Sequence, residues 1–251
     1  MSSRFRTGLW LAALILAGGC GGDSNPGADA DASAEADGDV DSGLADGAQA
    51  QADSASSSEP LLPWAVGNTW TYQVTNNGEV ITKVTTIEEM EPVGGTGPNK
   101  DVVALRVRTK KGPLDETLSW QGIDGDRVVR YREQSFHANT GELELEEHWE
   151  PHKLHVDGSS EHTAKGGDWL EEYKETKIPA GGVASTETKR DRWTVDGVDV
   201  EVTVPAGTFR ALVLRKAGGS TLKTYWYVPG IGKVKETGGQ TEELVSYEVA
   251  P

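Results

Sequence analysis

From residue 69 onward, short runs alternate large apolar or β-branched residues with polar ones, and turn-forming residues close each run. This period of two constrains the chain more than any other feature. It suits strands with one buried face and is incompatible with an amphipathic helix. No window of a dozen residues in 61–251 carries the i, i+3, i+4, i+7 apolar spacing. The runs are Thr69–Thr75, Glu79–Ile87, Val102–Arg108, Glu116–Trp120, Asp126–Tyr131, Glu142–Leu145 continuing toward Trp149, Asp191–Val195, Val198–Val204, Arg210–Arg215, Leu222–Val228, Gly232–Glu236 and Glu242–Val249. Asn76-Asn77-Gly78, Asp124-Gly125 and Asp196-Gly197 supply tight-turn signals between them. Hairpin-length connections imply antiparallel pairing. Ten or more such strands curl rather than stay flat. The expected fold is therefore all-β: a single curved antiparallel sheet, a half-barrel or barrel over residues 61–251, following a disordered tether.

In Val198–Val204 the valines alternate with Asp199, Glu201 and Thr203, and Trp226 opposes Tyr225 and Tyr227. Such strands have one dry face and one wet face. The dry face must be covered by closure of the sheet, by a helix or by a ligand in the concavity.

The first sixty residues are of another kind. Arg4 and Arg6 precede the apolar stretch Gly8–Gly18, and Leu16-Ala-Gly-Gly-Cys20 ends it. A basic start, an apolar core of about 7–15 residues and small residues before a cut make a secretory signal. The core is shorter than the ~20 residues a membrane span needs. The small-small-Cys ending resembles the bacterial lipobox, with Leu16 one position earlier than usual. The resemblance implies cleavage after residue 19 and lipidation of Cys20. Cys20 is the one cysteine of the chain, so the folded part has no disulfide to hold it. Several acyl chains on Cys20 would make release from the bilayer negligible at ~0.8 kcal/mol per buried CH₂. Gly21 rather than aspartate follows the cysteine, which by the same resemblance directs the protein to the outer membrane.

Residues 20–60 form the expected tether. Ten acids and no Lys or Arg fall in 21–60, with Ala, Gly and Ser filling most of the rest. Such a composition cannot bury enough apolar surface to offset chain entropy. As a flexible coil it spans roughly 35 Å. Asp37-Gly-Asp-Val-Asp41 has the start of a calcium loop, but Ser42 stands where glycine is wanted and Ala48 where the closing glutamate belongs. The formal net charge is −16, and the part beyond the tether remains acidic, which argues against a nucleic-acid partner.

Three motifs carry a further resemblance. Pro63-Trp-Ala-Val-Gly-Asn-Thr-Trp-Thr-Tyr72, Val204-Pro-Ala-Gly-Thr-Phe209 and Trp226-Tyr-Val-Pro-Gly-Ile-Gly-Lys-Val-Lys235 resemble, in order and spacing, a family of uncharacterised bacterial envelope proteins. That family brings no activity with it. It implies a curved antiparallel sheet similar in outline to the half-barrel of envelope lipoprotein carriers. The motifs also make sense as folding signals, because Pro205 presets a turn and Gly207 accepts positive φ.

All five histidines (His137, His148, His152, His155, His162) lie within 137–162. His148-Trp-Glu-Pro-His-Lys-Leu-His155 offers zinc-ligand chemistry, with Glu147 or Glu150 as carboxylate partners. Neither a His-Glu-x-x-His nor a His-x-x-Glu-His spacing occurs. His148 and His152 share a face only on a strand that continues through Pro151. No metal and no cofactor is expected, with His148, His152 and His155 the residues to inspect. A Gly-x-Ser-x-Gly elbow is missing, and Gly218-Gly219 lacks the Lys-Ser/Thr of a phosphate loop. The sequence therefore reads as a non-enzymatic, lipid-anchored outer-membrane lipoprotein. It is a structural or interaction module that meets another envelope protein, or alternatively a carrier of a lipid or other hydrophobic ligand on its concave face.

Overall fold

A computed structural model describes residues 59–219 and 221–250. Cys20, the signal segment and most of the tether lie outside the described residues. Twelve strands form one antiparallel sheet: β1 (Thr69–Asn76), β2 (Glu79–Pro92), β3 (Val103–Lys110), β4 (Glu116–Asp124), β5 (Arg127–Phe136), β6 (Leu143–Asp157), β7 (Asp168–Pro179), β8 (Ser185–Val204), β9 (Gly207–Gly218), β10 (Thr221–Val228), β11 (Gly232–Thr237) and β12 (Thr241–Glu248). One short helix, α1 (Ser160–Thr163), lies between β6 and β7. Each strand pairs with its chain neighbours, and β1 pairs with β12 from Thr69↔Glu248 to Thr75↔Thr241, so the sheet closes as an up-and-down barrel. Closure leaves no unpaired sheet edge, the standing hazard of an open sheet.

The turn at Asn77-Gly78 has positive φ at both residues (49° and 85°), which suits the twist of the β1–β2 hairpin. Asp196-Gly197, expected as a hairpin, is instead an irregular stretch within the twenty-residue β8, which pairs with β9 on both sides of it, from Asp191↔Gly218 to Val204↔Gly207. Register shifts flank Gly197, and Asp199 takes φ +58°. An added residue turns a strand's faces over. Val202 and Val204 are buried as a result, whereas Val198 and Val200 are exposed. Likewise β6 runs through Pro151 and pairs with β5 on both sides of it, across an irregular stretch between Arg132↔His148 and Arg130↔Lys153. β7 has no counterpart among the alternating runs of the sequence. Its inward Glu175, paired with Trp149, breaks the apolar alternation.

In a meander the connections alternate between the two ends. The β2–β3, β4–β5, β6–β7, β8–β9 and β10–β11 connections lie at one end, together with the strand-free residues before β1. That end is filled. Leu61, Leu62 and Trp64 fold into it and join a core of Trp70, Val74, Val128, Val156, Val195, Leu214, Val234 and Leu244. The Trp64 and Trp70 rings lie 5.0 Å apart. Trp70 donates its indole N–H to the Ile231 carbonyl at 2.7 Å, and Asn68 donates to Pro63 O at 2.8 Å. Gly232, at φ +100°, lies against Leu62 so closely that any Cβ would collide with it.

Candidate functional site

At the opposite end the interior is hollow. A cavity of about 440 Å³ is lined by β5 through β11, with Arg130, Lys153, His155, Tyr173, Glu175, Asp191, Trp193, Lys216, Lys223, Tyr225, Lys233 and Glu236 among its walls. Seven lining residues are basic and three acidic, although the chain as a whole carries −16. Strand pairing puts these groups inside: Tyr225 sits opposite Glu236, Tyr227 opposite Lys233, and Asp191 opposite Gly218.

The charges fall into three groups. The first is an alternating chain. Lys83 pairs with Glu242; Lys233 bridges Glu242, at 2.9 Å, and Glu236; and Lys223 donates to Glu236 Oε1 at 2.6 Å. Both carboxylates are almost wholly buried. Burial alone would raise their pKa values, but Lys233 foremost, with Lys223 at Glu236 and Lys83 at Glu242, outweighs it and keeps both ionised well below the usual carboxylate range. Lys83 is pushed down to about 7, mainly by burial and then by Lys233.

The second group is built on Asp191, which accepts from Lys216 Nζ at 2.6 Å and from the Tyr173 hydroxyl at 2.9 Å. Lys216 also stands 5.3 Å above the Trp193 ring, and burial lowers its pKa to about 8. The third is Glu175, which accepts the Trp149 indole N–H at 3.2 Å. Lys153, Lys177 and Lys189 stand 3.5–3.8 Å from it. Lys153 lies 4.7 Å over Trp149, and burial followed by the Arg130 charge lowers its pKa. An aromatic row crosses the lumen beneath these charges: Trp169 to Trp193 at 6.0 Å, Trp193 to Tyr225 at 5.7 Å and Tyr225 to Tyr227 at 6.1 Å. Burial raises the pKa of each tyrosine in it, so all are neutral donors.

The histidines are not brought together. His148 lies on the outer face, opposite Arg132, beneath the β2–β3 connection. Its Nε2 is 2.7 Å from Glu146 Oε1, and a Cβ at Gly97 would collide with its ring. Arg132 joins this cluster through Glu146 at 2.5 Å and the Val93 carbonyl at 2.8 Å, with its guanidinium 4.3 Å from the Trp120 ring. His152 packs edge-on against Tyr131. His155 faces inward, where burial, with Arg130 and Lys233, holds it neutral, and its Nδ1–H donates to Gln121 Oε1 at 2.7 Å. Pairing with different partners on opposite faces of one sheet cannot converge on an ion. Among the described residues no group of three His, Cys, Asp or Glu side chains could hold a metal. Cys20 lies outside the described residues.

Of the candidate residues the sequence singles out, His155 lines the lumen, but the lumen's lysines and carboxylates are not among them. Their one linear trace is that Lys233 lies within the Trp226–Lys235 motif and Glu236 and Glu242 fall just beyond it. The expected concave apolar face is present only in the filled half.

No protein-family model matches the chain, and no curated protein matches it. Two solved structures align over 76% of this chain and 99% of their own. One is from Bacteroides fragilis, described as exported and of YmcC-like fold, with a TM-score of 0.46 and 12% identity. The other is from Parabacteroides distasonis, described as a lipoprotein, with a TM-score of 0.41 and 10% identity.

Proposed function

We propose that this chain is a lipid-anchored protein of the bacterial envelope whose barrel works by binding a small polar solute, not by catalysis. The anchor is Cys20, cut free of the signal after residue 19 and held at the outer membrane. Residues 21–60 space the barrel from the bilayer. What supports the anchor is the signal core ending in small residues and the lone cysteine. The similarity of the three motifs to envelope proteins agrees with that address.

The observation that carries the binding reading is the charged cavity of about 440 Å³ beside an apolar half that side chains already fill. Cavities of roughly 300–1,000 Å³ are the size of small-molecule sites. An acyl chain seated there would lie against ammonium and carboxylate groups and forfeit their hydration. A hydrophobic cargo therefore fits this lumen poorly, and a polar solute fits it well.

The test is to express the full chain in a bacterium and compare it with Cys20→Ala by membrane fractionation and native mass spectrometry. The expected wild-type protein is membrane-bound, starts at residue 20, carries acyl mass, and releases a polar small molecule on denaturation. The expected variant leaves the membrane fraction. Retention of residues 1–19, or equal fractionation of the two proteins, would sink the anchor. Absence of any released solute would sink the binding reading.

A further inference from the structure

We infer that the hollow half of the barrel is an oxyanion site, holding a phosphoryl or carboxylate group of its solute among Lys153, Lys216 and Arg130. The inference rests on the binding reading above and names the chemistry of the ligand.

The first observation is charge. Seven basic and three acidic residues line the lumen of a strongly acidic chain, although Arg130, Lys189, Arg190 and Lys233 also pair with Glu133, Glu187, Glu172 and Glu242 outside the lining, so Lys153 is the cation left over. The lumen's carboxylates are already committed. Asp191 accepts from both Lys216 and Tyr173, and Glu236 from both Lys223 and Lys233. Glu175 accepts the Trp149 N–H. Lys153 is left with Glu175 at 3.8 Å, beyond hydrogen-bond reach, and with the rings of Trp149 and Tyr173. A half-buried ammonium without a hydrogen-bonded counterion is costly, and an entering anion relieves that cost.

The second observation is independent of charge. Among the described residues seven buried side-chain polar atoms have no hydrogen-bond partner, and they include Arg130 Nε, Trp193 Nε1 and the Tyr227 hydroxyl. Arg130 and Trp193 line the cavity itself. Buried donors are normally satisfied, and each exception asks for an acceptor. An oxyanion is acceptor-only, so it answers the spare donors and the spare charge together. Compact lysine ammoniums suit a tetrahedral or carboxylate oxygen cage, while the Arg130 guanidinium adds direction.

The test uses the full chain purified from membranes in a nonionic detergent. Inorganic phosphate, citrate, maltose as a neutral polar solute and myristate as an apolar one are titrated by calorimetry, and melting curves are recorded alongside. The expected result is one phosphate or citrate per chain, with affinity falling at least about tenfold in Lys153→Met. The Lys153→Met melting temperature should be no lower than that of wild type, which separates lost binding from lost folding. Lys174→Met, on the exposed exterior, should bind as wild type does. Preference for phosphate assigns a phosphoryl group, and preference for citrate a carboxylate. If neither anion binds while maltose or a co-purified neutral solute does, the oxyanion assignment is overturned and the polar-solute reading stands. If no solute binds, or only myristate binds, both fall. Equal anion binding by Lys153→Met and wild type would place the anion elsewhere and overturn the site.

Discussion

The two halves of the barrel solve the same packing problem in opposite ways. Both are enclosed by the same twelve strands. At the end where the residues before β1 enter, Leu61, Leu62 and Trp64 fill the bore, and Trp70 gives its indole N–H to the Ile231 carbonyl. At the other end none of the described segments folds in, and the inward positions carry lysine, glutamate and tyrosine. The apolar half stabilises by area removed from water, which is indifferent to pH. The charged half stabilises only while each ion keeps its partner, because buried pairs roughly break even and broken ones do not. The difference teaches that one half holds the fold while the other is free to hold something else.

Substitutions break this contrast in a definite order. Trp70→Ala should cost the most, about 3–5 kcal/mol by chemical denaturation, because it opens a cavity in the filled half and strips the Ile231 carbonyl of its donor. Glu242→Gln should cost about 3 kcal/mol, since Lys83 and Lys233 then face each other without the carboxylate that joins them. Trp70→Ala should be equally damaging at pH 5 and pH 9, and Glu242→Gln should not.

The pH dependence sharpens the same contrast. Glu236 and Glu242 have folded pKa values below their unfolded ones. Their stabilisation is therefore whole above the ordinary carboxylate range and is lost as pH falls through and below it. Lys83 and Lys216, lowered to about 7 and about 8, act in the opposite sense on the basic side. Between those values and the unfolded lysine pKa the unfolded chain binds more protons, so stability should rise from about pH 7 toward about pH 10. Unfolding curves across pH 3–10 should show an acid loss of the order of 2 kcal/mol and a shallow gain above neutrality. A flat profile would mean that the lumen charges are solvated as freely as surface ones.

Smaller effects mark the edges of the contrast. Lys153→Met keeps the side-chain stem over Trp149 and removes a poorly paired ammonium, so a gain of about 1 kcal/mol is expected in thermal melts without ligand. Arg192→Ala, which breaks an exposed pair with Asp168 on the outer face, should leave the melting curve unchanged.

Much of the fold is legible in the chain. Thr69–Thr75, the Asn77-Gly78 turn and the late Val204–Phe209 and Trp226–Lys235 motifs all fall in the strands and turns their residue types demand. The departures have physical causes. Asp196-Gly197 has turn chemistry, but the strand passes through it because β9 pairs with β8 on both sides of the bulge. Pro151 lies within β6 where the ladder to β5 is already irregular, so its missing N–H costs little there. β7 is not legible in the alternation because the rule of polar-out assumes an apolar interior, and Glu175 points into a polar one.

The lumen was hidden for the same reason. In Gly232-Lys-Val-Lys-Glu236 the alternation alone makes both lysines outward, yet a bulge between Trp226 and Tyr227 turns Lys233 inward and leaves Lys235 outside against Glu243. A shift of one residue moves a side chain to the other face, and only cross-strand pairing sets that register.

The sequence by itself determined most of the strands, β7 excepted, their antiparallel order and the apolar residues available to fill a core, because these follow from period-two patterning and short turns within a few residues of one another. Closure of β1 onto β12, the inward turn of the lysines and the hollow beside a filled core were decided by the tertiary structure. A ring of twelve strands encloses more volume than inward side chains must fill. Which charges share that volume depends on residues as far apart as Lys83 and Glu242, brought together only when the ring closes.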